Sequence, residues 1–115
     1  MATSTIPANN KLQEVSITLD ATKAAVRNWG RLIARRDGDT LIVCGHGVYT
    51  LVSIANETIV GTIAGVSNLN SVSAPIKVDG QTEPGIAVVG GNTLRLLNIQ
   101  NADKAMYFTI VVPLY

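Results

Sequence analysis

The chain has 115 residues, of which 47% are hydrophobic and 15% are charged, and its formal net charge is +1. This length fits one domain that buries roughly two-thirds of its unfolded surface. The composition excludes a disordered chain, and the near-zero net charge gives no field that would steer DNA. Because charges are sparse, we expect copies of the chain to cover part of one another's surface.

The chain begins with a polar segment. Residues 1–14 contain Pro7 and the pair Asn9-Asn10, which predict an extended arm, either loose or docked on a neighbour. The segment lacks the basic start and apolar core of a signal peptide, and no apolar run approaches the ~20 residues that cross a bilayer. We therefore expect synthesis in the cytoplasm without a cleaved leader. Residues 15–115 are expected to form a single β-sandwich domain.

The next two segments give a strand signal and a weak helix signal. The run VSITL, residues 15–19, alternates apolar and polar side chains and predicts a half-buried strand. Residues 20–28 begin with a candidate N-cap, Asp20, and are rich in alanine, so they allow at most one short helix. A longer helix would cross Gly30 and stack like charges at i, i+4 spacing, which would destabilise it.

Turn signals divide the remainder into short strands. Asp37-Gly38 and Gly90-Gly91-Asn92 each lie between apolar runs and predict hairpins. The GHG at residues 45–47 predicts a further turn, and the polar run at residues 67–75 predicts a loop. About eight strands at spacings near ten residues predict an all-β, jelly-roll-like sandwich.

Three segments between Gly38 and Tyr115 combine apolar strands with glycine turns in a shared pattern. They are GDTLIVCGHGVYTLVSI, IKVDGQTEPG and GNTLRLLNIQNADKAMYFTIVVPLY. This pattern resembles the C1q/TNF-like trimeric jelly-roll domains of phage and bacterial surface proteins. The resemblance implies a homotrimer on the virion surface, serving as a fibre head or a capsid decoration. It further implies contacts with other virion or capsid proteins and with a receptor or glycan of the host cell.

A basic and aromatic cluster is the candidate site for partner binding. Arginines near an aromatic ring pair with acidic neighbours or stack on a ligand, and aromatic rings also form platforms for sugars. The alternative function is a small nucleic-acid-binding module built on the same basic cluster, whose phosphate contacts would make binding sensitive to salt. The candidate residues are Arg27, Trp29, Arg31, Arg35, Arg36 and Tyr49.

The single cysteine and the single histidine are the remaining residues with chemistry to weigh. Cys44 and His46 are two apart, so on a straight strand they face the same way, and a Cys–His hydrolase is a third hypothesis. We favour a buried cysteine and a solvent-facing turn histidine instead. Copies of His46 on a threefold axis would form a metal site, but the residues of one chain predict no metal, no cofactor and no catalytic residue.

Overall fold

The computed structural model describes residues 12–66 and 69–114, which form nine β-strands and no helix. This confirms the all-β prediction. None of the described segments is a helix able to cross a membrane. The strands are β1 (Leu12–Val15), β2 (Ile17–Leu19), β3 (Ala24–Asp37), β4 (Thr40–Thr50), β5 (Thr58–Ile63), β6 (Leu69–Val78), β7 (Gly85–Gly91), β8 (Thr93–Leu97) and β9 (Met106–Pro113).

The strands pair antiparallel in the order β1-β3-β4-β9-β6-β7-β8-β5-β2. Strand β6 joins the two halves of this sheet, because its residues 69–76 pair with β7 whereas Lys77 and Val78 pair with β9. Strands β1 and β2 lie at opposite ends of the order although only Ser16 separates them along the chain. The sheet is therefore nearly closed and sandwich-like.

The sheet has two outer surfaces, a front face and a back face. The front face is the outer surface of β1, β3, β4 and β9 together with Lys77 of β6. The back face is the outer surface of β2, β5, β7 and β8 together with residues 69–76 of β6.

The core lies between the two halves and follows from period-two patterning. In β9, Phe108, Ile110 and Val112 are buried, whereas Thr109 and Val111 between them are exposed. Strands β7 and β8 face them with the buried side chains of Ala87, Val89, Leu94 and Leu96. Full burial of one such large aliphatic side chain stabilises the fold by about 1.5–3 kcal/mol, so the inward positions tolerate little change.

The helix allowed at residues 20–28 does not form. Asp20 does cap a turn, since its Oδ1 accepts hydrogen bonds from the backbone N and the Oγ1 of Thr22, at 3.0 and 2.7 Å. The turn ends after Lys23, and Ala24 is buried at the start of β3, where it pairs with Thr50. Burial and strand pairing outweigh the helix propensity of the alanines, which is a weak preference.

Two of the four turn and loop predictions are wrong. The GHG at 45–47 lies inside β4, where only the register shifts beside Gly47, and β6 occupies most of the predicted loop at 67–75. The hairpins at Asp37-Gly38 and at 90–92 are confirmed, with Gly38 and Gly91 at φ values of +59° and +61°. A glycine accepts this left-handed backbone without the steric cost that other residues meet.

Both described chain ends lie at one end of the molecule. Leu12 pairs with Asp37 and Pro113 pairs with Thr40, so both flank the β3–β4 hairpin; we call this the terminal end. At the opposite, loop end, hydrogen bonds join the connections between the strands, such as Leu51 N to the Lys23 carbonyl oxygen at 2.8 Å. Residues 1–11 of the predicted arm lie outside the described residues, and its residues 12–14 belong to β1.

Candidate functional site

A bulge in β3 holds Trp29 out from the front face. Val26 pairs with Val48 and Arg31 pairs with His46, so the four residues from 27 to 30 lie opposite Gly47 alone. Bulges of this kind redirect a side chain away from the regular alternation of the strand. The Trp29 side chain is 56% exposed as a result.

Two glycines make this bulge sterically feasible. A Cβ at Gly30 would overlap the carbonyl oxygen of His46, and a Cβ at Gly47 would lie 2.7 Å from Cζ3 of the Trp29 ring. Gly47 also has a φ of +75°, a conformation that side chains disfavour. The indole therefore packs directly against the backbone of β4, and its position is fixed by the absence of two side chains.

Three aromatic rings follow one another across the front face. The centroids of Trp29 and His46 are 5.7 Å apart with an interplanar angle of 83°. Those of His46 and Tyr107 are 5.0 Å apart at 65°. Both contacts are edge-to-face, the arrangement that the ring quadrupoles favour.

Cationic residues border these rings in a single cross-strand row. Arg31 pairs with His46, His46 with Tyr107, and Tyr107 with Lys77, so these four residues lie side by side on β3, β4, β9 and β6. At a strand spacing of about 4.8 Å, the row is about 14 Å long between its outer Cα atoms. We call these four residues together with Trp29 the aromatic row.

Tyr107 connects the aromatic row to an adjacent cleft. Its hydroxyl donates a hydrogen bond to Oδ2 of Asp79 at 3.4 Å. Burial, and then the negative charge of Asp79, raise the pKa of Tyr107 above its usual value of 10, so the hydroxyl stays protonated near neutral pH. The cleft has a volume of about 400 Å³, and its lining includes Lys77, Gln81 and Pro84 besides Tyr107.

A second, more apolar depression of about 310 Å³ lies on the same face towards the terminal end. Ile33, Ile42 and Cys44 line it, and Arg31 and Arg35 border it. The two depressions flank the aromatic row, so the row is the centre of a continuous open surface.

The structure divides the basic cluster predicted from the sequence. Arg27 lies 4.0 Å from the centroid of the Tyr49 ring and forms an ion pair of 2.7 Å with Asp103. Arg36 donates from Nε to the carbonyl oxygen of Gly38 at 3.1 Å and so supports the hairpin.

Only part of that cluster thus faces a potential ligand on the front face, namely Trp29, Arg31 and Arg35. Tyr107 and Lys77, which enter the row from β9 and β6, were not predicted from the sequence. They follow His46 by 61 and 31 positions along the chain, and no local pattern links such distant positions.

Cys44 and His46 do point to the same face, as predicted. The prediction of a buried cysteine is wrong, because Cys44 is exposed and its Sγ accepts a hydrogen bond from Oγ1 of Thr109 at 3.7 Å. His46 lies in a strand between two aromatic rings and not in a turn. Across the described ranges, no group of three His, Cys, Asp or Glu residues is placed to hold a metal ion.

The fold defines the chain first as a nine-stranded, nearly closed antiparallel β-domain. No protein-family model and no curated protein sequence matches it. Among solved structures, it is similar to the head domain of the lactococcal phage bIL170, with a TM-score of 0.71 and 16% identity over 90% of this chain and 99% of that one. That structure was presented with the question whether the receptor-binding domains of lactococcal phages share a common fold. At this identity, the likeness shows the fold.

Proposed function

We propose that the protein is a non-enzymatic component of a phage virion surface that attaches the particle to its host, as a fibre head or a capsid decoration. The fold likeness to a phage head domain supports the setting. The observation that carries the proposal is the glycine-dependent bulge that keeps Trp29 exposed beside His46 and Tyr107. An exposed aromatic ring held in place is suited to stack on a ligand such as a sugar.

The positions of the chain ends support an orientation for this attachment. Leu12 and Pro113 flank the same hairpin, so the described part of the chain begins and ends on one side of the domain. We assign that side to the particle, with the predicted arm of residues 1–14 contacting other virion or capsid proteins. The front face and the loop end then face the host.

The back face supports the proposed homotrimer. Of the residues in its strands, Arg95 alone is charged, and it is paired with Glu57 at 2.6 Å. Serine, threonine and aliphatic residues make up most of the remainder, including Ser73, Ile86 and Thr62. Depletion of charge is the compositional mark of the centre of a protein interface.

Light scattering on the purified protein tests the trimer. We expect three copies per particle at micromolar concentration, and Thr62→Arg on the back face should lower that number. Thr109→Arg on the front face is the matched control and should leave the trimer intact. A monomeric parent protein, or equal loss of assembly in both variants, would contradict the proposed packing.

Adsorption of the labelled protein to a panel of bacterial strains tests attachment. On a strain that the parent binds, Trp29→Ala should weaken binding about 30-fold, the effect of losing an aromatic hot spot of about 2 kcal/mol. Val111→Ala is the matched control, because Val111 is 54% exposed on the same face as Trp29, which is 56% exposed, but lies outside the aromatic row. Binding unaffected by Trp29→Ala would reject the aromatic row as the attachment site.

A further inference from the structure

Building on the proposed attachment function, we infer that the aromatic row binds an acidic saccharide. The sugar rings contact Trp29 and Tyr107, and the carboxylate or phosphate groups contact Arg31 and Lys77. The row thus selects a negatively charged glycan over a neutral one of the same backbone.

Arg31 and Lys77 have no ion-pair partner among the described residues. In the part of the chain that the structure describes, the ion pairs involve Lys23, Arg27 and Arg95, and neither Arg31 nor Lys77 takes part in one. Both side chains are exposed at the two ends of the row. An unpaired guanidinium is pre-organised for a carboxylate or phosphate, to which it donates two parallel hydrogen bonds.

Nearby acidic residues make the attraction for an anion differ between the two ends of the aromatic row. At the Lys77 end, the Asp79 carboxylate accepts a hydrogen bond from Tyr107 and opposes an anionic ligand. At the other end, Glu14 pairs across the strands with Arg35 and not with Arg31. Arg31 therefore has the stronger attraction for an anion, and Lys77 adds a weaker one.

The length of the aromatic row suits a ligand of more than one sugar unit. The two ring contacts of 5.7 and 5.0 Å extend the line of aromatic side chains from β3 across β4 to β9. The Cα atoms of Arg31 and Lys77 are about 14 Å apart, given three strand spacings, so a cationic residue stands at each end of these rings. An oligosaccharide with more than one charged unit fits this spacing better than a monosaccharide does.

Single-stranded nucleic acid also combines rings with negative charges, but the ring geometry disfavours it. Successive bases need aromatic faces on which each can stack. Here His46 meets Trp29 and Tyr107 at 83° and 65°, so neighbouring rings do not form a stack of parallel platforms. The C–H face of a sugar needs only one exposed ring at a time.

Paired polymers test the inference on the full-length protein. The carboxylate probe is polygalacturonate, compared with its methyl-esterified form, and the phosphate probe is phosphomannan, compared with dephosphorylated mannan. We expect at least one acidic polymer to bind about tenfold more tightly than its neutral partner, the effect of one or two charge-assisted hydrogen bonds. The acidic polymer with the larger advantage identifies the charged group.

Arginine variants separate this effect from general electrostatics. Arg31→Gln should abolish the advantage of the acidic polymer, whereas Arg36→Gln, on the same strand but hydrogen-bonded to Gly38 away from the row, should retain it. Equal binding of acidic and neutral polymers, binding to neither acidic polymer, or equal effects of the two variants would overturn the inference. Tighter binding of oligothymidylate than of both acidic polymers would also overturn it, in favour of nucleic acid.

Adsorption to bacterial strains distinguishes failure of the acidic-ligand inference from failure of the proposed attachment function. If the parent adsorbs to cells and Trp29→Ala abolishes adsorption while Arg31→Gln does not, the attachment function stands and the acidic ligand is rejected. If Trp29→Ala has no effect on adsorption, the attachment site itself is rejected.

Discussion

The front and back faces belong to one sheet and cover one core, yet their outer residues differ in kind. The front face presents exposed rings, cations and a free thiol, as at Trp29, Arg31 and Cys44. The back face presents small polar and aliphatic side chains with one ion pair, Arg95–Glu57. The core constrains the inward-facing residues of each strand. The outward-facing residues, which alternate with them, are left available for binding or assembly.

The largest expected effect concerns the four-residue bulge of β3, on the front half. Gly30→Ala should lower the free energy of unfolding by about 3 kcal/mol, since the new Cβ meets backbone that cannot yield. Gly38→Ala is the control: it has open space around it but a φ of +59°, so it should cost only about 1–2 kcal/mol. Urea denaturation measures both, and equal losses would mean that the bulge adapts.

The next largest effect concerns two ion pairs, Arg27–Asp103 in the front half and Arg95–Glu57 in the back half. Arg27 and Arg95 side chains are both 30% exposed, but Arg27 also lies over the Tyr49 ring. We expect Arg27→Ala to destabilise by about 1.5 kcal/mol and Arg95→Ala by about 0.5 kcal/mol. Thermal denaturation of both variants checks the order, and a larger loss for Arg95→Ala would contradict the importance of the ring contact.

The reactivity of a cysteine on each face tests which face forms the subunit contact in the assembled protein. Cys44 on the front face should react readily with a thiol reagent, because the proposed trimer leaves that face open. A cysteine placed on the back face by Thr62→Cys, in a Cys44→Ser background, should react at least about tenfold more slowly, as expected when an interface core excludes solvent. Reversed rates would place the subunit contact on the front face.

The smallest effect lies in the turn that joins the back half to the front half. The hydrogen bonds from Thr22, and then the charge of Lys23, lower the pKa of Asp20 from its ordinary 3.8. The pKa of Asp20 is lower in the folded protein than in the unfolded chain. The carboxylate therefore stabilises the fold above pH 3.8, and this contribution disappears as the pH falls through the folded-state pKa.

Asp20→Asn should therefore lower the melting temperature slightly at neutral pH and converge with the parent in strong acid. Asp39→Asn, in an exposed hairpin, controls for the loss of one carboxylate. A difference between Asp20→Asn and the parent that stayed constant down to the most acidic pH would argue against the hydrogen-bonded carboxylate as its cause.

The sequence predicted those features whose causes are local. Asp37-Gly38 and the 90–92 turn each specify a hairpin with a few adjacent residues. The helix allowed at 20–28 was wrong because the deciding contact, Ala24 with Thr50, joins residues 26 positions apart. The C1q/TNF-like resemblance stays a prediction beside the likeness to the phage head domain.

The candidate site was predictable only in part for the same reason. Trp29 and Arg31 stood out as an aromatic and a cation close together in the chain. Their partners depend on which strands become neighbours, so Tyr107 and Lys77 gave no signal. The separation of Arg27 and Arg36 from the ligand-facing surface likewise depends on contacts with Asp103 and Gly38.

Ser16 links the two margins of the sheet, and this has a mechanical consequence. If the protein attaches as proposed, a load between the particle and the host would pull β1 along its own axis, so its backbone hydrogen bonds to β3 would bear the force together in shear. Any slippage of β1 would be transmitted at once to β2 and its bonds to β5. The domain is thereby fastened at both borders by one short stretch of chain, an arrangement suited to holding under tension.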